Sequence, residues 1–257
     1  MRRAARRDGT RHAGLGLLLV LVAIVTASLP SAPRAAACAP EIAAATRLMV
    51  VVAPGMNAPT GKAQLYRRDD LGADWQTSGA SVPVSLGRNG LGWSFDQTGY
   101  AAATGQAAMV KREGDGRSPA GFFAAGRPFG FTERNLADYL RIDAGTICVD
   151  DPASPLYNRV TRIENVAPGV SHEKMWEISL YRAGLIVDTP TSRQARSGSC
   201  IFLHVWRAPG SPTAGCVAMS EANMATVQYL FDGERAAVAI LPEGALSLLA
   251  SCGVLLP

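Results

Sequence analysis

The chain of 257 residues carries 25 Lys and Arg against 21 Asp and Glu, a formal net charge of +4, and 48% of its residues are hydrophobic. This apolar content excludes a disordered chain, and 26 glycines and 16 prolines without a period exclude a collagen-like fibre. The basic excess lies in residues 1–37, and the remainder has 19 basic and 20 acidic residues, so we expect no nucleic acid partner.

Residues 1–37 have the features of a secretory signal peptide. Five arginines precede an apolar run at 14–29, and Ala35-Ala36-Ala37 follows. The run is shorter than the ~20 residues of a membrane-spanning helix. We predict cleavage after Ala37, export to the periplasm or cell wall, and one catalytic domain over 38–257. Lipid anchoring at Cys38 is a minor alternative, because Ala35 stands where a larger aliphatic residue is usual.

The cysteines of an exported protein are expected to be oxidised, and five cysteines leave one thiol over. Cys38 and Cys252 lie at the two ends of the mature chain, and the termini of a domain are often close together, so we predict that they pair. Cys148 and Cys200 are the second predicted pair, which leaves Cys216 free. Alternatively, any of these cysteines is a small buried hydrophobic residue. The odd number of cysteines does not by itself decide between pairing and burial.

Short β-rich runs dominate the mature chain and are separated by Gly, Pro, Asn and Asp, which predicts a mainly β domain with a few short helices. The runs lie at 47–53, 63–67, 82–86, 177–187, 200–207 and 236–241. Helical periodicity is clearest at 221–231, with Ser220 as the N-cap. A second short helix is predicted at 171–176.

Several other patterns predict no chemistry. Residues 55–62 resemble a phosphate loop, but the glycines are one residue too far apart and Ala63 replaces the metal-binding hydroxyl, so we interpret them as a turn. Beyond the leader only His172 and His204 are histidines, and there is no C-x-x-C, so we predict no metal and no organic cofactor. We interpret His172 as a surface residue near the start of a helix.

The segment 201–220 carries the candidate site. Its first half alternates as a strand, with Ile201, Leu203 and Val205 facing one way and Phe202 and His204 the other.

A loop follows this strand, and it predicts that His204 and Cys216, which are 12 positions apart, meet at one end of the strand. A thiolate is a strong nucleophile, and a neighbouring imidazole accepts the thiol proton and later returns it to a leaving amine. Gly215 is expected to let a ligand approach the backbone closely, and the N–H of Cys216 to stabilise an oxyanion.

This segment resembles the signature of the YkuD-type L,D-transpeptidase catalytic domain, a strand-end histidine followed by [Ser/Thr]-x-Gly-Cys, here His204, Thr213, Gly215 and Cys216. Residues 116–123 are similar to the family's TPxGxF stretch, which includes Ser118 as a substrate-binding candidate. The resemblance covers roughly residues 47–241.

The resemblance implies a β-sandwich-like fold and an exported enzyme acting on peptidoglycan. Cys216 would be the nucleophile, His204 the general acid/base, and Val205 the residue whose backbone orients the imidazole. The implied partners are donor and acceptor stem peptides, with carbapenem-type inhibitors as a further class of ligand and no obligate protein partner.

Two positions depart from the family pattern. Ala214 replaces a second histidine, so the oxyanion site must depend on backbone donors. Ala218 replaces an arginine, and Arg207 is expected to supply the positive charge for a substrate carboxylate, although a solvated loop arginine is an equal alternative.

The expected reaction is acyl transfer through a thioester on a tetrapeptide stem. Three alternatives stay open: an L,D-carboxypeptidase, an exported cysteine peptidase of the papain or cell-wall-amidase kind, and a wall-binding module that has lost its chemistry. In those peptidase families the nucleophile precedes the histidine, whereas here Cys216 follows His204.

Overall fold

The computed structural model describes residues 37–105 and 109–255, which are mainly β with a few short helices, as predicted. The predicted signal peptide lies outside the described residues except for Ala37. No helix in the described ranges is long and apolar enough to cross a membrane.

Strands form most of the described structure. They are β1 (Arg47–Ala53), β2 (Thr60–Arg67), β3 (Gln76–Ser85), β4 (Leu91–Trp93), β5 (Ser118–Gly130), β6 (Leu140–Arg141), β7 (Thr146–Val149), β8 (Val160–Arg162), β9 (His172–Lys174), β10 (Ala183–Asp188), β11 (Phe202–Val205), β12 (Val217–Met219) and β13 (Ala236–Pro242). The helices are α1 (Pro40–Ala43), α2 (Thr98–Ala103) and α3 (Glu221–Leu230), with 3₁₀ turns at Ile163–Asn165, Met175–Glu177, Ser179–Arg182 and Glu243–Cys252.

The main sheet closes on itself into a barrel-like form instead of forming the expected two-sheet sandwich. Its order is β10-β11-β12-β3-β2-β1-β13-β5, and β5 pairs back with β10. The reason is the length of β5, whose first half pairs with β13 (Gly121 with Ile240) while its second half pairs with β10 (Gly130 with Ala183). One long strand therefore joins the two edges that a sandwich would leave apart.

The main core fills the closed sheet and continues beneath its covering helices. Leu48, Met49, Val50 and Val51 of β1 are all fully buried, so this strand has no solvent face. This explains its uninterrupted apolar sequence, because a strand covered on both faces has no need of alternating polar residues.

A second layer packs against the outer face of β10 and β11. It is the three-stranded sheet β8-β7-β9, and the Cys148–Cys200 disulfide ties it to the residues before β11. Phe129, Tyr181 and Phe202 fill this interface with edge-to-face ring contacts at centroid distances of 5.3 to 5.8 Å.

The predicted cysteine pairing is confirmed. Cys38 is bonded to Cys252 and Cys148 to Cys200, and Cys216 is the free cysteine. Two disulfides in one domain are typical of proteins that fold in an oxidising compartment.

The helix predicted at 221–231 is confirmed, with the Ser220 side chain accepting the N–H of Asn223 at 3.2 Å. The helix predicted at 171–176 is wrong, since this segment forms β9 and a 3₁₀ turn. Pairing with β7 overrides the local helical preference, because Cys148 lies opposite Glu173 in the sheet. His172 consequently lies in a strand, partly buried, and not at a helix start.

Candidate active site

β11 carries the candidate base. Ile201, Leu203 and Val205 belong to the core of the closed sheet, whereas Phe202 faces the second layer, so the predicted alternation is confirmed. The His204 ring packs edge-on against Tyr181, at a centroid distance of 5.3 Å, and only 5% of the residue is exposed.

The backbone of Val205 orients this imidazole. Nδ1 of His204 lies 2.8 Å from the Val205 carbonyl oxygen. Because a carbonyl can only accept, the neutral ring carries its proton on Nδ1 and keeps a free lone pair on Nε2. Burial lowers the pKa of His204, so the ring is neutral near pH 7 and able to accept a proton.

Cys216 directly precedes β12, which runs parallel to β11 with Val217 opposite Leu203. Its sulfur accepts the N–H of Phe202 at 3.4 Å, and the thiol lies 3.5 Å from the carbonyl oxygen of Cys200. Burial, followed by the negative charge of Glu173, raises the pKa of Cys216 to about 12. The resting sulfur is therefore a neutral thiol.

The structure places His204 and Cys216 on the same face of the fold, beneath the second layer. The Tyr181 ring lies edge-on to His204, and Tyr181 and Cys216 belong to the same buried cluster. Among the described residues, however, no hydrogen bond joins the His204 ring to the Cys216 sulfur. The resting pair is thus a neutral imidazole and a neutral thiol, and not an ion pair.

Two hydroxyls fix the backbone of Cys216. Thr213 Oγ1 donates to the Cys216 carbonyl at 2.6 Å and accepts the N–H of Gly215 at 3.1 Å, while Ser118 Oγ donates to the same carbonyl at 3.2 Å. In the described part of the chain, nothing accepts the N–H of Cys216. Stabilisation of a developing oxyanion by this N–H stays a prediction.

The substrate contact expected of Ser118 is not supported by its position. Ser118 is fully buried, and its hydroxyl also accepts the N–H of Gly87 at 2.9 Å. Its two hydrogen bonds join the 87–90 turn to the Cys216 loop, so its position indicates a structural role.

Close packing of the chain around Gly215, and not ligand access to its backbone, explains the glycine at this position. A Cβ at this position would lie 3.0 Å from the carbonyl oxygen of Arg117 and 3.3 Å from Cδ1 of Ile201. The space beside Gly215 is thus filled by the chain itself and not left open for a ligand.

Arg207 lies in the exposed loop after β11, and its guanidinium forms no ion pair within the described residues. It is accessible to a ligand carboxylate, and its role in substrate binding stays a prediction. No cluster of three or more potential metal ligands occurs in residues 37–105 and 109–255.

Glu173 and Tyr181 also lie near the candidate site, and the sequence does not predict them. The Tyr181 hydroxyl donates to Oε2 of Glu173 at 2.9 Å, and burial raises the pKa of that carboxyl to about 7. Glu173 lies in the segment predicted to be a helix and Tyr181 in a segment predicted to be a strand. Both are far from Cys216 in sequence. No local sequence pattern indicates that β9 brings the carboxylate of Glu173 to the candidate site.

A cleft of about 850 Å³ opens between β5, β10 and the second layer. Phe202, whose N–H contacts the Cys216 sulfur, forms part of its wall, together with the charged residues Arg159 and Asp188. The cleft reaches Phe202, but neither Cys216 nor His204 lines it.

Comparisons with known proteins find no matching family profile and no matching curated protein. Among solved structures, the chain is similar to the helical cell shape determining protein Pgp2 from Campylobacter jejuni, at 13% identity and a TM-score of 0.38 over 80% of this chain and 54% of that one. A point mutant of Pgp2 gives 14% identity and a TM-score of 0.34, over 80% and 53%. The chain spans about half the length of these structures.

Proposed function

We propose that this protein is an exported L,D-transpeptidase that acts on peptidoglycan stem peptides through a cysteine thioester. The observation that carries the proposal is the state of Cys216. It is the cysteine left with a free thiol when the other four are paired, and it shares one face of the fold with an oriented, neutral imidazole. The family signature around these two residues supports the same chemistry.

The first half of the proposed reaction is thioester formation. The Cys216 sulfur attacks the carbonyl carbon of the L,D-peptide bond before the terminal D-residue, and Nε2 of His204 takes the thiol proton as the C–S bond forms. The resting thiol first leaves its contacts with Phe202 and Cys200. The oxyanion accepts the N–H of Cys216, and collapse breaks the C–N bond while His204 protonates the leaving amine.

The second half of the reaction transfers the acyl group. An amine of a neighbouring stem attacks the thioester carbonyl carbon and loses a proton to His204. Collapse breaks the C–S bond, and His204 returns the proton to the Cys216 sulfur. The neutral state of both groups favours proton transfer during attack over a preformed thiolate, because burial disfavours the separated ions.

The test is incubation of the mature protein with purified tetrapeptide muropeptides, followed by mass spectrometry of the products. We expect dimers linked between two diamino-acid residues, and no product from the Cys216→Ala variant, which folds normally because one small residue replaces another. Tripeptides without dimers would instead show an L,D-carboxypeptidase. Unchanged substrate together with no carbapenem adduct on Cys216 would contradict the proposal and favour an inert wall-binding module.

A further inference from the structure

Charged residues from both layers line the cleft between β5, β10 and the second layer. They are Arg127, Asp138, Arg159, Asp188 and Glu234. Arg127 forms an ion pair with Asp138 at 3.0 Å. Glu234 forms an ion pair with Arg47, outside the cleft, at 2.5 Å. Within residues 37–105 and 109–255, the side chains of Arg159 and Asp188 form no ion pair and no hydrogen bond, so one positive and one negative charge are left for a ligand.

Asp188 enters the cleft from the main sheet. It ends β10 and lies opposite Ala124 of β5. A Cβ at Gly126, two residues further along β5, would lie 2.9 Å from Oδ1 of Asp188. Gly126 also lines the cleft, so the missing side chain leaves room for the carboxylate against the cleft wall.

Arg159 enters the cleft from the second layer. It directly precedes β8, and its carbonyl accepts the N–H of Val149 at 3.0 Å, which fixes its backbone to β7. The preceding residue, Asn158, donates from Nδ2 to the Thr189 carbonyl at 3.1 Å and accepts the N–H of Cys200 at 2.8 Å. Asn158 therefore ties the turn that carries Arg159 to the segment that follows β10.

Thr189 adds a hydroxyl to the same cleft. It follows Asp188 in sequence, and its Oγ1 is buried without a hydrogen-bond partner in the described part of the chain. A buried hydroxyl that forms no hydrogen bond costs free energy, so the partner of this group is expected to come from outside the chain. A ligand in the cleft can supply that partner.

These groups select a ligand that carries both signs of charge. The planar guanidinium of Arg159 pairs with a carboxylate through two parallel hydrogen bonds. The carboxylate of Asp188 only accepts, and a primary ammonium offers it three donors. A ligand with a single charge leaves one of the two side chains unmatched. An amino-acid group, with an ammonium and a carboxylate on one carbon, matches both.

We propose that this cleft binds the amino-acid group at the end of a diamino-acid side chain of a stem peptide, with its carboxylate on Arg159 and its ammonium on Asp188. The choice of a stem peptide rests on the proposed function, whereas the choice of a doubly charged end group rests on the cleft. The volume of about 850 Å³ lies within the roughly 300–1,000 Å³ of most ligand pockets and admits more than the end group. Because neither Cys216 nor His204 lines the cleft, the site holds the peptide without reacting with it.

The test measures the affinity of the mature protein for a tripeptide stem that ends in diaminopimelate, by isothermal titration calorimetry. This stem lacks the terminal D-residue, so the proposed reaction does not consume it. Two modified stems are compared with it, one with the side-chain amine acetylated and one with the side-chain carboxyl amidated. The variants are Arg159→Gln and Asp188→Asn, and the matched controls are Arg67→Gln and Asp74→Asn, at exposed positions outside the cleft.

We expect Arg159→Gln and Asp188→Asn each to raise Kd about tenfold, because each removes one charge-assisted contact. The controls should bind like the wild type, and each modification of the stem should weaken binding to the wild type by a similar factor. Amidation should have no further effect on Arg159→Gln, and acetylation no further effect on Asp188→Asn, because the contact concerned is already lost.

Three results would overturn the inference: no binding of the tripeptide stem, unchanged affinity in both variants, or modifications that weaken binding to the variants as much as to the wild type. Equal affinity for free D-alanine would overturn the choice of a stem peptide and assign the cleft to a free amino acid. Thermal melts establish that each variant is folded.

The proposed function fails separately, through unchanged tetrapeptide muropeptides, since binding of the tripeptide stem requires no turnover. A protein that forms muropeptide dimers but binds the stem independently of Arg159 and Asp188 would keep its function and lose this inference.

Discussion

Thr213 contributes to the candidate site through its backbone and its hydroxyl together. Its N–H donates to the Leu86 carbonyl and its own carbonyl accepts the N–H of Arg88, so the residue is fixed to a neighbouring segment. From that anchor its hydroxyl reaches the carbonyl of Cys216. The hydroxyl in the [Ser/Thr]-x-Gly-Cys pattern is thus explained by backbone geometry, without contact to a substrate.

The Thr213→Val variant should lower the free energy of unfolding by about 1–3 kcal/mol, because the Cys216 carbonyl loses a donor and the Gly215 N–H loses its acceptor at constant side-chain shape. Turnover should fall at least tenfold as the Cys216 backbone loosens. Thr213→Ser keeps the hydroxyl and should stay near the wild type. Urea unfolding and the muropeptide assay measure the two effects, and equal behaviour of the two variants would contradict them.

For single residues, the sequence predicts which residues form the candidate site better than it predicts what surrounds them. Cys216, His204 and the orienting carbonyl of Val205 follow from a contiguous pattern. The burial of Ser118 and the approach of Glu173 do not, because each depends on segments that are distant in sequence. The same long-range packing gives Cys216 its high pKa, a property that no local pattern encodes.

Among the elements, α3 packs where the closed sheet joins β5 to β10. Gln228 on this helix is fully buried, and its Nε2 donates to the carbonyl of Phe129 in β5 at 2.9 Å and to that of Gly184 in β10 at 2.7 Å. The helix thereby satisfies carbonyls of both strands at the closure. The amphipathic pattern of the sequence predicts α3. The closure of the sheet could not be predicted in this way, because it depends on β5 pairing with β13 on one side and β10 on the other.

Gln228→Met should lower the free energy of unfolding by about 2–4 kcal/mol, since two buried carbonyls lose their donor while the side chain keeps its approximate shape. The control is Tyr229→Met on the same helix, where the side chain is 62% exposed. It should change stability by less than about 0.5 kcal/mol. Chemical denaturation of both variants provides the comparison, and similar losses would show that Gln228 does not fasten the closure.

For the whole molecule, the paired cysteines act on different spans of the chain. Cys38–Cys252 joins residues 214 apart in sequence, and Cys148–Cys200 joins residues 52 apart. The first pairing could be predicted, because chain ends tend to lie close together. The role of Cys148–Cys200 in tying the second layer to β11 could not be predicted, because no sequence pattern indicates where that layer lies.

These spans predict an order of stability. If each disulfide acts mainly by restricting the unfolded chain, its loss costs about 2–5 kcal/mol, and the longer loop costs about 1 kcal/mol more than the shorter one. The double variants Cys38→Ser/Cys252→Ser and Cys148→Ser/Cys200→Ser test this by urea unfolding, with no partner thiol left near Cys216. The reverse order would mean that the shorter bridge stabilises the native state directly, by holding the second layer over Cys216 and His204. In that case its removal should also accelerate alkylation of Cys216, whereas removal of the terminal bridge should leave that rate unchanged.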